Sequence, residues 1–248
     1  MMLLPTLKSK VKKSAFFPVA RQCYRWVKPT ARRERSALRR FYSQLVNPGD
    51  LCFDIGANVG QTTEALLDCG ARVIAVEPNP LCIPVLQWQF GANSRATLVQ
   101  KAVGAESGSA VLNFRGTEAT ASILTDWGFE NHNSHTVELT TLDDLISQFG
   151  CPRLCKVDVE GYEVEVFKGL SQPIPVIDFE IHPSVLRWAR EVLKRLSTIG
   201  QITGANIAAQ HHAGWIFPEW LKLEEFCERL ETKPPGMEDA IIKMAAPV

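Results

Sequence analysis

The sequence predicts a doubly wound α/β domain, a mostly parallel sheet with helices on both faces, entered through a basic N-terminal helical arm. Three observations predict it. First, a short apolar run, Leu51-Cys52-Phe53, ends at Asp54 and opens into the turn Gly56-Ala57-Asn58-Val59-Gly60; a helical stretch and a second apolar run follow, the latter ending at Glu77 before Pro78. Strand, glycine turn, helix, strand and acid make the first half of a nucleotide-binding βαβ unit. Second, two later stretches, one from Leu154 to the acids Asp158 and Glu160 and the other residues 175–181, read as buried strands. Third, residues 1–40 carry twelve basic side chains against the single acid Glu34, leaving 15 basic and 26 acidic residues for the remainder. The body is acidic and the arm is basic.

The boundary falls at the turn Asn47-Pro48-Gly49, which gives an arm of residues 1–46 and a domain of residues 47–248. Within the arm, residues 32–46 read as one helix, with Leu38, Phe41, Tyr42 and Leu45 at helical spacing to dock on the domain and the arginines outward. A solvated charged face accounts for those arginines. Peripheral contact with an anionic membrane surface, or an acidic partner, is the sharper alternative. An organelle transit peptide is the third. No interleaved aromatic platform argues for nucleic acid.

Composition narrows the class. Hydrophobic residues make up 46% and charged residues 22%, values of an ordinary globular chain. Seven cysteines, an odd number without a C-x-x-C pair, argue against a disulfide framework or structural zinc and for a reducing, cytoplasmic setting. No apolar run reaches the length of a membrane helix, and Lys8 to Lys13 interrupt any signal-peptide core.

The elements then follow in order. Residues 61–69 form a helix stopped by Gly70. Asn79 caps, and Pro80 opens, a helix to about Phe90, where Pro84 demands a kink or a delayed start. Residues 96–103 read as a third strand. Residues 110–114 and 136–139 alternate as short strands, a hairpin flanking the loop 115–134, whose length suits a lid or substrate wall. The H-x-x-H pair His132 and His135 is read as two exposed loop histidines rather than a metal site. Thr141 with Asp144 three residues on is a capping pattern for a helix over 141–149. The strand that starts at Leu154 ends in Asp158 and Glu160, followed by a glycine turn, with Lys156 one strand period earlier on the same side. Three charges on one side of a buried strand are paired or functional. The strand at 175–181 delivers Glu180 and His182 to the same sheet edge. Residues 184–199 form an amphipathic helix, 201–209 a strand, 219–230 a helix, and 239–244 a closing strand.

The spacing Asp54-x-Gly56-x-Asn58-x-Gly60 is not the G-x-G-x-x-G of dinucleotide binders. It resembles the D/E-x-G-x-G-x-G loop of class I S-adenosylmethionine-dependent methyltransferases, with Asn58 in place of the middle glycine, a mild departure because Asn tolerates a left-handed backbone. In order and spacing, DIGANVG, AVEP, KAVG, TTLDDL, KVDVEGYE and FEIH are similar to the FkbM family of these enzymes over about residues 50 to 182. The resemblance implies a Rossmann-like class I fold with a seven-stranded sheet whose last strand is antiparallel. It also implies O-methylation, commonly of a sugar hydroxyl in a glycan or natural-product glycoside. By that comparison Asp54, Gly56, Asn58 and Gly60 line the methionine end of the cofactor, Glu77 takes the ribose diol, and Ala102 and Val103 lie by the adenine. Asp158 and Glu160 stand near the transferred methyl, and with His182 they are the candidate bases. The alternative is a divalent cation such as magnesium held by Asp158, Glu160 and Glu180; a protein base ranks slightly ahead. The rival functions are an NAD(P)-dependent oxidoreductase and a non-catalytic nucleotide-binding protein. The acceptor, a small molecule or glycan, has no readable code, although loop 115–135 and the tail around His211, His212, Trp215 and Trp220 are its expected walls.

Overall fold

The computed structural model describes residues 29–115, 121–123, 132–181, 186–209, 212, 214–232 and 238–245. In chain order the described elements are α1 (Pro29–Tyr42), β1 (Leu51–Ile55), α2 (Gln61–Asp68), β2 (Arg72–Val76), α3 (Ile83–Phe90), β3 (Ala96–Val99), β4 (Ala102–Val103), β5 (Gly108–Arg115), β6 (Ala121–Ser122), β7 (His132–Thr140), α4 (Leu142–Phe149), β8 (Leu154–Val157), α5 (Glu163–Lys168), β9 (Val176–Ile181), α6 (Leu186–Ile199), β10 (Ile202–Ala208), α7 (Leu223–Thr232) and β11 (Glu238–Met244).

Seven of these strands form one sheet in the order β10-β11-β9-β8-β1-β2-β3. All run parallel except β11, which pairs antiparallel with both β9 and β10. The expected class I fold is therefore present, closing strand included. The chain leaves β1 toward β2 and β3, then returns to the other side of β1 with β8 and β9. That reversal between β1 and β8 is the topological switch point, where such sheets bind ligands.

Strands β4, β7, β5 and β6 form a second sheet beside the first. Here the structure departs from the sequence expectation of one strand over 96–103. β3 ends at Val99, whose carbonyl accepts from Glu77 N, and β4 crosses to pair with β7 through Ala102–Leu139 and Val103–Thr140. The hairpin of β5 and β7 is as expected but longer, so the H-x-x-H pair lies in a strand rather than a loop. His135 is exposed there.

Other local expectations are met or shifted for clear reasons. Thr141 and Asp144 form a complete capping box on α4. Asn79 does not cap α3; its side chain accepts from Leu81 N in a turn, and the helix starts late, with Pro84 in its first turn where no N–H is needed. α7 begins at Leu223 because Leu221 is held in a bridge with Ala205. Helices α4 to α7 cover one face of the sheet through Leu145, Phe167, Val192, Leu196 and Phe226. On the other face α2 and α3 are joined by the end of α1, with Phe41, Tyr42, Leu45 and Val46 all buried. Arg35 ties α1 to α2 through Glu64 and Asp68, while Arg33, Arg39 and Arg40 face solvent. The basic residues of 1–28 lie outside the described residues. No helix among the described residues is long and apolar enough to cross a membrane.

Candidate active site

A cleft of about 640 Å³, open solvent included, lies at the switch point. Its floor is the turn after β1. Gly56 and Asn58 adopt left-handed conformations, φ 82° and 51°. A Cβ on Gly56 would stand 1.9 Å from the backbone oxygen of Asp158, so only glycine lets the ends of β1 and β8 approach. The Asn58 N–H donates to Glu77 Oε2 at 2.7 Å, and the Asn79 N–H to Oε1 at 2.8 Å. Glu77 is thus clamped at the end of β2, with one lone pair on each oxygen left for a ligand. Burial raises its carboxyl to about 7, against the pull of these two N–H groups.

Ala102 and Val103 also line the cleft, with Lys101, Val76, Pro78, Leu112 of β5 and Ile123 just after β6. Two expected cofactor residues stand behind the cleft instead. Asp54 is buried and accepts from the Thr63 hydroxyl of α2; burial raises it to about 6. Gly60 turns the chain into α2, and a Cβ there would meet Phe90 at 2.4 Å. Both shape the turn without lining the cavity.

Asp158 and Glu160 form the opposite bank with Val159 and Tyr162. Glu160 holds a left-handed φ of 54°, a strained state for a side-chain-bearing residue. The buried Glu163 carboxylate sustains this turn by accepting from Val159 N and Gly161 N, and the Ser122 hydroxyl donates to the Glu160 carbonyl at 3.0 Å. Burial and the nearby Asp158 raise the Glu160 carboxyl to about 7, and burial and Asp158 raise Glu180 to about 8. His182 and His211 lie outside the described residues.

Lys156 shares its side of β8 with Asp158, as expected, but its nearest partners were not foreseen. Its Nζ is 2.6 Å from Asp239, 3.4 Å from Asp178 and 3.9 Å from Asp158. Burial would lower this ammonium, but the three carboxylates hold it well above its ordinary value. Burial likewise opposes the Asp239 anion, yet Lys156 and His212 hold it well below the usual range. Asp178 and Asp239 carry no motif. Their signal in the sequence is a buried-strand acid with no local partner.

Among the described residues, the metal-like gathering of ligand atoms is Asp178, His212 and Asp239, not Asp158, Glu160 and Glu180. The Lys156 ammonium already stands against two of the three, which disfavours a divalent cation there. Trp215 and Trp220 do not line the cleft. Their rings lie 5.0 Å apart, with Trp215 packed on Phe41 and Lys243 3.6 Å over Trp220, so they fill space under α1.

With this geometry in view, comparison with known proteins is decisive at one level. A family model, the Methyltransferase FkbM domain, matches residues 54–213. The chain belongs to the FkbM methyltransferase family. Hexuronic acid methyltransferase AglP of Haloferax volcanii is 30% identical over 141 residues, covering 55% of this chain and 57% of that protein. The chain thus matches little more than half the length of this curated relative. Among solved structures, precorrin-6y C5,15-methyltransferase of Geobacter metallireducens is similar over 86% of this chain and 87% of its own, at 14% identity and a TM-score of 0.39. An rRNA methylase of Streptococcus thermophilus covers 83% and 93%, at 9% identity and a TM-score of 0.43.

The cleft suits the donor this family uses, S-adenosylmethionine. Glu77 presents free lone pairs for a diol, apolar side chains from β2, β4 and β5 offer a slot for a purine, and the Gly56 turn leaves bare backbone beside the N-terminus of α2, which favours a carboxylate.

Proposed function

We propose that this FkbM-family protein transfers a methyl group from S-adenosylmethionine to a hydroxyl oxygen of a sugar, in a glycan or a natural-product glycoside. The observation that carries the reading is that one cleft at the switch point joins Glu77 on the β2 side to Asp158 and Glu160 on the β8 side. The sugar class is drawn from the relative, which is a hexuronic acid methyltransferase.

When bound, the donor supplies an electrophilic methyl on a sulfonium. The chain's own residues do the rest. Gly56 and Asn58 would receive the methionine end, Glu77 the ribose, and Ala102 and Val103 the adenine, with Asp54 and Gly60 holding the turn from behind. Asp158 or Glu160 would accept the acceptor hydroxyl proton as its oxygen forms the new bond to carbon and the carbon–sulfur electron pair returns to sulfur. Alignment is the larger contribution, because the methyl needs little activation. The base is worth about 10²- to 10⁴-fold. A protein base is favoured over a cation held by Asp158, Glu160 and Glu180, because Lys156 already supplies positive charge beside Asp158. The exposed Arg33, Arg39 and Arg40 extend the basic character of the arm and suit peripheral contact with an anionic membrane from the cytoplasmic side.

Calorimetric titration of the full chain with S-adenosylmethionine, S-adenosylhomocysteine and NAD, with and without magnesium, tests the donor. Binding of both adenosyl ligands and not NAD is expected; a folded protein that binds neither adenosyl ligand overturns the reading. Incubation with labelled donor and neutral or acidic glycosides then tests the acceptor class, and label confined to non-sugar acceptors would refute it.

A further inference from the structure

We infer that Tyr42, on the helix ahead of the first strand, is a positioning residue for the cleft carboxylate Asp158, acting through Asp178 and Lys156. The inference rests on the methyl-donor reading of the cleft. Tyr42 lies before the span that the family model matches, and Asp239 lies after it.

Tyr42 is completely buried, and its hydroxyl donates to Asp178 Oδ2 at 2.8 Å. The other oxygen, Oδ1, receives no hydrogen bond among the described residues and faces Lys156 Nζ at 3.4 Å. Lys156 and Asp178 stand directly opposite each other in the β8–β9 register. Lys156 is 3% exposed, so its ammonium has no water to fall back on and is divided among Asp239, Asp178 and Asp158. Asp239 has further support from His212 Nε2 at 2.9 Å. Asp158 has the longest contact of the three, and it is the carboxylate that opens into the cleft, 43% exposed.

Three anions therefore compete for one buried cation, and the competition decides where Asp158 points. The Tyr42 hydroxyl satisfies Asp178 with a neutral donor and so leaves Lys156 within reach of Asp158. Without it, Asp178 would be a buried carboxylate whose nearest described donor is the ammonium. Lys156 would be drawn across the β8–β9 register toward Asp178, and Asp158 would lose its cation and its fixed direction. The Tyr42 ring is itself held by Phe41 at 5.4 Å and His212 at 5.6 Å, and α1 by the Arg35 pairs, so the hydroxyl is delivered at a set position. A helix outside the nucleotide-binding core thereby becomes part of the site.

The test compares dissociation constants for S-adenosylmethionine, which carries the sulfonium charge, and S-adenosylhomocysteine, which does not. Tyr42→Phe should weaken the charged ligand about three- to tenfold, the span of one net hydrogen bond, and leave the neutral one unchanged. In an Asp158→Asn background the same substitution should have no further effect. Tyr42→Phe combined with Asp178→Asn removes the competing anion and should restore the wild-type ratio; it carries the test alone if the single variant does not fold. An unmoved ratio in folded Tyr42→Phe, the same shift in the Asp158→Asn background, or a ratio in the double variant that stays shifted from wild type overturns the inference while the donor reading stands. Wild-type protein that binds neither ligand overturns both.

Discussion

The backbone N–H of Asn58 donates to Glu77 Oε2 at 2.7 Å, so the turn after β1 and the acid after β2 are one mechanical unit. A ligand that engages Glu77 also feels the turn, and a change in the turn is felt at Glu77.

Glu77→Ala removes both the proposed acceptor for a diol and the clamp on Asn58 and Asn79. It should weaken S-adenosylmethionine by about 1.5–3 kcal/mol, the scale of hydrogen bonds to a charged group. Calorimetry on a variant with an unchanged circular dichroism spectrum measures it, and unaltered affinity would remove Glu77 from the ribose role.

Gly56→Ala introduces a Cβ 1.9 Å from the Asp158 carbonyl oxygen at a residue with φ 82°. The left-handed backbone alone costs roughly 1–2 kcal/mol, and the steric contact adds to it. Thermal denaturation should show a lowered Tm, accompanied by loss of donor binding because the β1 and β8 ends must part.

Lys156→Ala leaves Asp158, Asp178 and Asp239 around an empty place in a buried site. Removing one partner of a buried ion cluster costs about 3–5 kcal/mol. Denaturant titration should show a loss of that size, lessened at acid pH, where Asp178, raised by burial to about 6, takes up a proton.

The raised carboxyls Glu77, Glu160 and Glu180 set opposite pH slopes for stability and binding. Glu77 and Glu160 are raised to about 7 and Glu180 to about 8, burial being the main cause. A folded-state pKa above the unfolded one means the folded protein binds the extra proton, so this contribution is full below the unfolded pKa and is lost as pH rises through the folded values. The ligand-free protein should therefore lose stability as pH rises from the ordinary carboxyl value of 4.5 to about 8. Affinity for S-adenosylmethionine should rise over the same interval as Glu77 ionises. Paired Tm series with and without ligand measure both, and parallel curves would contradict the assignment.

Deleting residues 1–28 removes seven of the chain's basic residues while leaving α1 and Tyr42 in place. Donor affinity should be unchanged and binding to anionic vesicles reduced, as read by co-sedimentation. Equal vesicle binding with and without these residues would end the membrane reading of the arm.

The elements that position the cleft were legible because their signals are local. Apolar runs, a glycine turn and a strand-terminal acid announce β1, α2, β2 and Glu77, and the Thr141–Asp144 capping box is complete within four residues. Gly56, Asn58, Glu77, Ala102, Val103, Asp158 and Glu160 all line the cleft. The break of the third strand at Val99 was not legible. Residues 96–103 are apolar enough for one strand, and only the pairing partner available at each end decides that β3 joins the large sheet and β4 the small one.

What the sequence by itself determined is the α/β class, the switch-point loop and the acids at the strand ends, because periodicity and turn chemistry act over a few residues. What only the tertiary structure decided is which charges meet. Tyr42, Lys156, Asp178, His212 and Asp239 come from α1, β8, β9, the segment after β10, and β11. They look unrelated in sequence, with 136 positions separating the Tyr42 hydroxyl from its acceptor. Sheet register and the docking of α1 bring them within hydrogen-bond range. Burial then makes their mutual pairing obligatory, because water is not there to replace it.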